Sequence, residues 1–193
     1  MDSGVQWHAL GFGESPPYVL VHGHRELIIL QQSPNEFLRG STLRFVNKLS
    51  DPELIEPLLQ PVRQSLTHRH AYVRKCAVTA VASIFKKHEH LIPDAPDLIL
   101  EFIKEEVDAT SKRNAFVALS NVSHDLALNY LSSIFDGLQN QDEVMQLAAL
   151  EFIRKDAGQS SERKARYLRL IFDLLEASSN VVVYGQLDFD SLM

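Results

Sequence analysis

The sequence predicts an all-α protein, an α-solenoid of HEAT/armadillo-like helical repeats. Apolar residues recur at helical spacing in several segments between residues 25 and 177. No convincing pair of strands interrupts these segments. A similar helix also recurs at steps of 35, 38 and 34 residues, and repetition at such a period is typical of helical arrays.

Residues 71–87 form the clearest of these helices. Arg74, Lys75, Thr79 and Lys86 are predicted to lie on its polar side. Apolar residues at steps of one, three and four are predicted to lie on the other side: Tyr72, Val73, Cys76, Ala77, Ala80, Val81, Ile84 and Phe85. One helix cannot bury such a stripe alone, so we expect it to be one unit of a stack.

The segment before this helix changes character along its length. Residues 1–24 hold four of the eight glycines and are predicted to be irregular, with a short apolar strand or turn at residues 18–21. Residues 25–32 can form a short helix, and Asn35 then caps a helix through residue 49. Asp51, followed by proline and glutamate, starts a helix to residue 66. Because prolines lack the backbone donor, Pro57 and Pro61 should kink or break that helix near residue 57.

Helices alone are predicted after residue 87. A turn with two prolines at residues 88–97 is followed by a helix from Pro96 to residue 106. Thr110 or Ser111 is predicted to cap the next helix. Further helices are expected at residues 124–138, at residues 143–155, and from Ser160 or Ser161 to residue 177.

These elements predict three parts of the chain. Residues 1–29 form a divergent N-terminal segment, residues 30–177 an array of about four repeats, and residues 178–193 an incomplete repeat or divergent tail. The repeats align Arg39, Arg74, Lys112 and Gln146.

Composition narrows the possible functions. The formal net charge of −6 argues against a bulk nucleic-acid binder, which needs many cations to neutralise phosphates. The single cysteine, Cys76, excludes an internal disulfide and fits a reducing compartment such as the cytosol. The sequence contains no run of 18 apolar residues, so no transmembrane helix is predicted. The first 30 residues lack the pattern of a signal peptide.

Several segments resemble the coatomer beta-subunit family, which is related to the large adaptor-complex subunits. The resemblance spans roughly residues 30–184 and is carried by PNEFLRGSTLRF at residues 34–45, YVRK at 72–75, HEHLIPDAPDLI at 88–99 and KRNAF at 112–116. It implies a trunk of adaptin-like helical repeats in the cytosolic COPI coat. That coat contains other coatomer subunits, is peripheral on Golgi membranes and coated vesicles, and retrieves proteins to the endoplasmic reticulum.

The resemblance also implies a partial chain. Residues 1 to about 29 and the end of the chain, GQLDFDSLM, depart from the family pattern, so we expect a partial or alternatively spliced product. In related adaptor subunits an Arf-type small GTPase contacts a helix just upstream of the position of Pro34. Because this chain departs from the family upstream of Pro34, the resemblance does not imply that it makes the GTPase contact.

Two enzyme hypotheses compete with a scaffold. A HEAT-like metal-dependent hydroxylase needs about four converging His–Glu pairs, since imidazole and carboxylate suit iron. The sequence has one such pair, His88–Glu89, besides His90 and His124–Asp125, and capping or solvent-facing histidines explain these better than a metal site does. Cys76 next to two cations could be a nucleophile, but its place on the apolar stripe favours a buried structural thiol.

We predict no catalytic residue, cofactor or metal site. A karyopherin-like carrier is a further alternative.

Charge distribution indicates where partners could bind. Residues 63–87 hold six cations and no acid, whereas residues 89–108 hold seven acids and one cation. These repeats could pair with each other, or the basic one could face anionic lipid or an acidic partner. A second cluster, Arg163, Lys164, Arg166 and Arg169, has the same ambiguity. The predicted interaction surface consists of Arg69, Arg74, Lys75, Lys86, Lys87, Lys112 and Arg113.

Overall fold

A computed structural model describes residues 33–157 and Tyr167, and within that part of the chain all regular elements are helical. The α-helices there are α1 (Glu36–Val46), α2 (Pro52–Ile55), α3 (Leu59–Ser65), α4 (Ala71–Lys87), α5 (Ala95–Glu105), α6 (Ala109–Val122), α7 (His124–Ile134) and α8 (Glu143–Ala157). Shorter 3₁₀ helices lie at Glu56–Leu58, Glu89–Leu91 and Phe135–Asn140. The all-α prediction is confirmed for these residues. The chain divides into two compact units, residues 1–93 and 94–193.

In the first unit, α1 begins at the predicted cap. The Asn35 Oδ1 accepts hydrogen bonds from the backbone N–H groups of Phe37 at 2.9 Å and Leu38 at 3.3 Å. The helix ends at Val46 rather than residue 49, because the N–H groups of Lys48 and Leu49 bond three residues back and wind the chain into a tighter turn.

The predicted break in the next helix is confirmed. Asp51 caps α2 by accepting from the Glu53 N–H at 3.0 Å. The 3₁₀ helix that contains Pro57 then separates α2 from α3, since proline offers no N–H for the α-helical ladder.

Helix α4 has the predicted bounds and packs against both α1 and α3. It runs parallel to α1: the Tyr72 ring lies on Gly40, and Ser83 Oγ donates to the carbonyl of Asn47 at 3.2 Å. Because α4 has a neighbour on two sides, its buried face is wider than predicted and includes Val78 and Ala82.

In the second unit, α6 is central and contacts α5, α7 and α8. The Phe116 ring on α6 lies 5.5 Å from the Phe152 ring on α8 and 6.1 Å from the Tyr130 ring on α7. Aromatic rings at such distances pack edge to face or tilted, and they form the centre of this core.

The predicted cap of α6 is wrong. Asp108, not Thr110 or Ser111, caps the helix, and its Oδ2 accepts from Ser111 N at 2.8 Å and Ser111 Oγ at 2.7 Å. The carboxylate thereby satisfies a free N–H of the first turn, which leaves Ser111 inside the helix and fully buried.

The later helices differ from prediction at their ends. Helix α7 stops at Ile134, and the chain continues as the 3₁₀ helix to Asn140, whereas one helix to residue 138 was predicted. Helix α8 extends two residues beyond the predicted end. No helix among the described residues is long and apolar enough to cross a membrane.

Burial confirms the register of the repeat. Three residues after each aligned position lies a buried small residue: Thr42, Ala77, Ala115 and Ala149. The next position is also buried in each of the four helices, by Leu43, Val78, Phe116 and Leu150. The same inner face therefore recurs in α1, α4, α6 and α8.

Some predicted elements lie outside the described residues. They are the irregular segment at residues 1–24, the helix at 25–32, most of the helix from residue 160 to 177, the second cationic cluster and the tail at 178–193. Tyr167 itself is helical and buried. The three-part division of the chain stays a prediction.

Candidate interaction surface

The cations of the predicted interaction surface have different positions and different structural roles. Arg69, Arg74, Lys75, Lys86 and Lys87 belong to the first unit, whereas Lys112 and Arg113 lie at the start of α6 in the second. Arg113 is exposed and donates to the side-chain oxygen of Asn114 at 3.1 Å.

Two of these cations hold the fold of the first unit. The Arg74 Nη1 donates to the backbone carbonyls of His68 at 2.8 Å and Arg69 at 3.0 Å, which braces the turn before α4. The Lys87 Nζ donates to the carbonyls of Asn47 at 2.7 Å and Leu49 at 2.6 Å. It thus binds carbonyls just past the end of α1, where a positive charge is favourable.

Lys75 lies instead on an outward surface that α1 and α4 form together. The α1–α4 surface consists of Phe37, Ser41 and Arg44 on α1 and Tyr72, Lys75 and Thr79 on α4. Each row has steps of three or four residues, so its members lie on one side of their helix. All six side chains are exposed or half-buried. Lys86, which is exposed, lies two turns beyond Thr79 on the same side of α4.

An aromatic pair marks one end of the α1–α4 surface. The rings of Phe37 and Tyr72 are 6.0 Å apart between centroids, and the Lys75 Nζ lies 5.8 Å from the centroid of the Tyr72 ring. That distance permits a cation–π contact. Tyr72 is seated on Gly40, where any side chain would overlap the ring. Phe37 nevertheless leaves 67% of its surface exposed.

Cys76 lies beneath this surface as a buried, unpaired thiol. Burial raises the pKa of the Cys76 thiol, and a hydrogen bond from Tyr72 and the charges of Lys75 and Arg44 oppose that shift only in part. A raised pKa keeps the sulfur protonated and poorly nucleophilic, which supports the predicted structural role.

Sequence reasoning missed Phe37 and Arg44 as surface residues. Phe37 and Leu38 are apolar positions of the helix predicted through residue 49, and apolar positions are usually buried, yet both are exposed on α1. The available signal was the polar row of α1, where Ser41 and Arg44 follow Phe37 at steps of four and three residues.

The histidines singled out from the sequence make contacts with nearby backbone or side chains. His88 Nε2 lies 2.8 Å from the carbonyl of Ser50, and its ring meets the edge of His90 at 5.9 Å between centroids. No group of three or more His, Cys, Asp or Glu side chains within residues 33–157 and Tyr167 is placed to hold a metal ion.

His124 belongs to a network that the sequence did not predict. Its Nε2 lies 2.8 Å from Asp156 Oδ1, and the Tyr167 hydroxyl donates to Asp156 Oδ2 at 2.5 Å. Asp156 is fully buried, and the His124 ring stacks on Phe152 at 5.0 Å. A buried carboxylate needs such partners, so this network ties α7, α8 and Tyr167 together.

Comparison with known proteins places these features in a family. The sequence profile described as Adaptin N terminal region matches residues 30–188. Coatomer subunit beta of Pongo abelii is 48% identical over 153 residues, covering 79% of this chain and 16% of the relative. The corresponding proteins of Drosophila melanogaster and Saccharomyces cerevisiae are 46% and 44% identical, covering 79% and 77% of this chain and 16% and 15% of theirs. The chain thus spans 15–16% of the length of these curated relatives.

Proposed function

Because this chain belongs to the adaptin N-terminal region family, we propose that it is a non-catalytic scaffold segment of a COPI-type vesicle coat. Its proposed role is transport between the Golgi and the endoplasmic reticulum. The observation that carries the proposal is the 48% identity with coatomer subunit beta over 79% of the chain. The recurring buried face of α1, α4, α6 and α8 supports it, because repeats that bury only neighbouring faces leave long outer surfaces for partners.

The proposed partners are other coatomer subunits, at the cytoplasmic face of Golgi membranes and coated vesicles. An Arf-type small GTPase enters the proposal only as the protein that recruits the assembled coat. Nucleic acid is not a proposed partner, because a chain with a net charge of −6 has no excess of cations to neutralise backbone phosphates.

The contacts of the reactive side chains support a non-catalytic role over a hydroxylase. His88 faces a backbone carbonyl, and His124 pairs with Asp156, which is fully buried. Cys76 is buried with a raised pKa. Each of these groups therefore has a structural explanation, and a catalytic site would need some of them facing a shared substrate cavity.

Affinity capture from cytosol tests the proposal. The tagged full chain is immobilised, and bound proteins are identified by mass spectrometry. We expect enrichment of other coatomer subunits over an unrelated helical-repeat protein of similar length and charge. An excess of the matching segment of a coatomer beta subunit should compete with this capture. A folded chain that recovers no coatomer subunit, or that recovers nuclear-transport cargo instead, would overturn the proposal.

A further inference from the structure

We propose that the α1–α4 surface binds an acidic peptide segment that carries one aromatic or large aliphatic anchor residue. This binding would be a property of two helices of the first unit and requires no coat assembly.

The charges of these two helices favour an acidic partner. Helix α4 contains no acidic residue, and α1 contains one, Glu36, in its first turn. Their cations are Arg39, Arg44, Arg74, Lys75, Lys86 and Lys87. Arg74 and Lys87 are engaged with backbone carbonyls, and Arg39, two residues from Phe37, lies on another side of α1. Arg44, Lys75 and Lys86 therefore supply the outward positive charge, and complementary charge at an interface favours an acidic partner.

The aromatic pair favours an apolar anchor within that partner. Phe37 leaves most of its surface exposed, and its ring lies 6.0 Å from the Tyr72 ring between centroids. Aromatic and cationic residues such as Tyr and Arg are enriched at binding hot spots, since a ring offers apolar contact area and a cation pairs with an acidic group. Phe37, Tyr72 and Lys75 would together contact the anchor.

Helix geometry sets the spacing of the expected acids. Arg44 follows Phe37 by seven residues, which is about 10 Å along α1, and Lys75 follows Tyr72 by three, about 4.5 Å along α4. An extended peptide advances about 3.3 Å per residue. Acidic side chains about one to three residues from the anchor would therefore meet both cations.

The fixed geometry favours a peptide over a membrane surface. Tyr72 is seated on Gly40, and the Lys75 side chain is directed over the Tyr72 ring. The aromatic pair and the two cations thus lie at set distances on two packed helices. An anionic membrane responds to total positive charge near its surface and needs no such spacing.

Fluorescence anisotropy with the full chain tests the proposal. The probe is a labelled synthetic peptide, Gly-Asp-Phe-Glu-Asp-Gly. One control peptide replaces its acids by amides, and a second replaces its phenylalanine by alanine. We expect saturable binding of the probe that weakens with added salt, and clearly weaker binding of both control peptides.

Matched variants locate the binding site. The double variant Arg44→Glu with Lys75→Glu should weaken probe binding about tenfold or more, and Phe37→Ser about fivefold. The double variant Lys104→Glu with Lys155→Glu makes the same change in charge at exposed positions of the second unit and should stay within about twofold of wild type. Circular dichroism of each variant checks that the helices remain.

Three results would overturn the proposal. The first is no saturable binding of the probe by the folded wild type. The second is equal weakening by both double variants, which would mean that net charge alone attracts the peptide. The third is binding of phosphatidylserine vesicles that depends on Arg44 and Lys75 while the peptide does not bind.

Discussion

His68, in the turn before α4, shows how a local environment alters a proton equilibrium. Burial lowers the pKa of the His68 imidazole, and the positive charges of Arg39, His70 and Arg69 lower it further. The backbone N–H of His70 donates to His68 Nδ1 at 3.1 Å, which requires that nitrogen to be unprotonated. The fold therefore favours neutral His68.

This lowered pKa predicts a loss of stability in acid. The folded pKa of His68 lies below the ordinary histidine value of 6.5, so the unfolded chain binds the proton more tightly. The stabilisation is fully present above that value and falls as the pH drops through it toward the folded pKa. Asparagine at this position keeps an acceptor for the His70 N–H but does not titrate. We expect His68→Asn to lose less stability than wild type between about pH 7 and pH 5.

Urea unfolding at the two pH values measures this difference. Gln64→Asn introduces the same side chain at an exposed, non-titrating position of the same unit and serves as the control, for which we expect a wild-type pH dependence. If His68→Asn loses as much stability in acid as wild type, the account of His68 is incorrect.

At the same scale, sequence could predict which residues carry charge but not all of their contacts. Helical spacing assigned Arg74 and Lys87 to the outer side of the helix, whereas both side chains reach carbonyls at the ends of neighbouring segments. Helical spacing shows which side of a helix a residue lies on, but it does not show which unpaired carbonyls at the ends of other segments the side chain can reach. The partners of Asp156 were equally unpredictable, because His124 is 32 residues away in the sequence.

At the scale of elements, the caps of α1 and α2 were predictable. Asn35 and Asp51 both cap as predicted, because the interaction joins a side chain to backbone N–H groups two or three residues further along the chain. Before α6 the sequence offers Asp108, Thr110 and Ser111, and local pattern alone favoured the wrong ones. In the structure Asp108 caps α6, because its carboxylate accepts hydrogen bonds from both the N–H and the hydroxyl of Ser111.

The close approach of α4 to α1 makes Gly40 a sensitive position. A Cβ atom there would lie 2.2 Å from the Tyr72 Cε1, so the ring would have to move. Alanine would otherwise favour the helix by about 1 kcal/mol over glycine. We expect Gly40→Ala to destabilise wild type but to stabilise a Tyr72→Ala background by about 0.5–1 kcal/mol.

A double-mutant cycle by chemical unfolding measures this coupling. Gly137→Ala is the matched control, because a Cβ at Gly137 would have no neighbour within 4 Å, and it should show no coupling to Tyr72→Ala. Equal effects of Gly40→Ala in both backgrounds would show that the ring does not oppose the new methyl group.

At the scale of the whole molecule, the repeat was the most predictable property. The steps between aligned helices follow from sequence, and the buried row Thr42, Ala77, Ala115 and Ala149 confirms them. Such rows are predictable because each repeat buries a similar face against its neighbours. Exposure of Phe37 is indicated in the sequence only by its place in one row with Ser41 and Arg44, since the periodicity of apolar residues does not say which of them a neighbouring helix covers.

Segment exchange tests the scaffold proposal most directly. Residues 30–184 of this chain replace the matching segment of the Saccharomyces cerevisiae coatomer subunit beta, to which the chain is 44% identical. A second hybrid also carries Ala115→Asp, which places a charge in the fully buried row and should disrupt packing. The measurement is the amount of each hybrid that co-purifies with the other coatomer subunits. The account predicts parent-like recovery of the first hybrid and loss of the second. A first hybrid that is helical by circular dichroism but absent from the purified complex would contradict it.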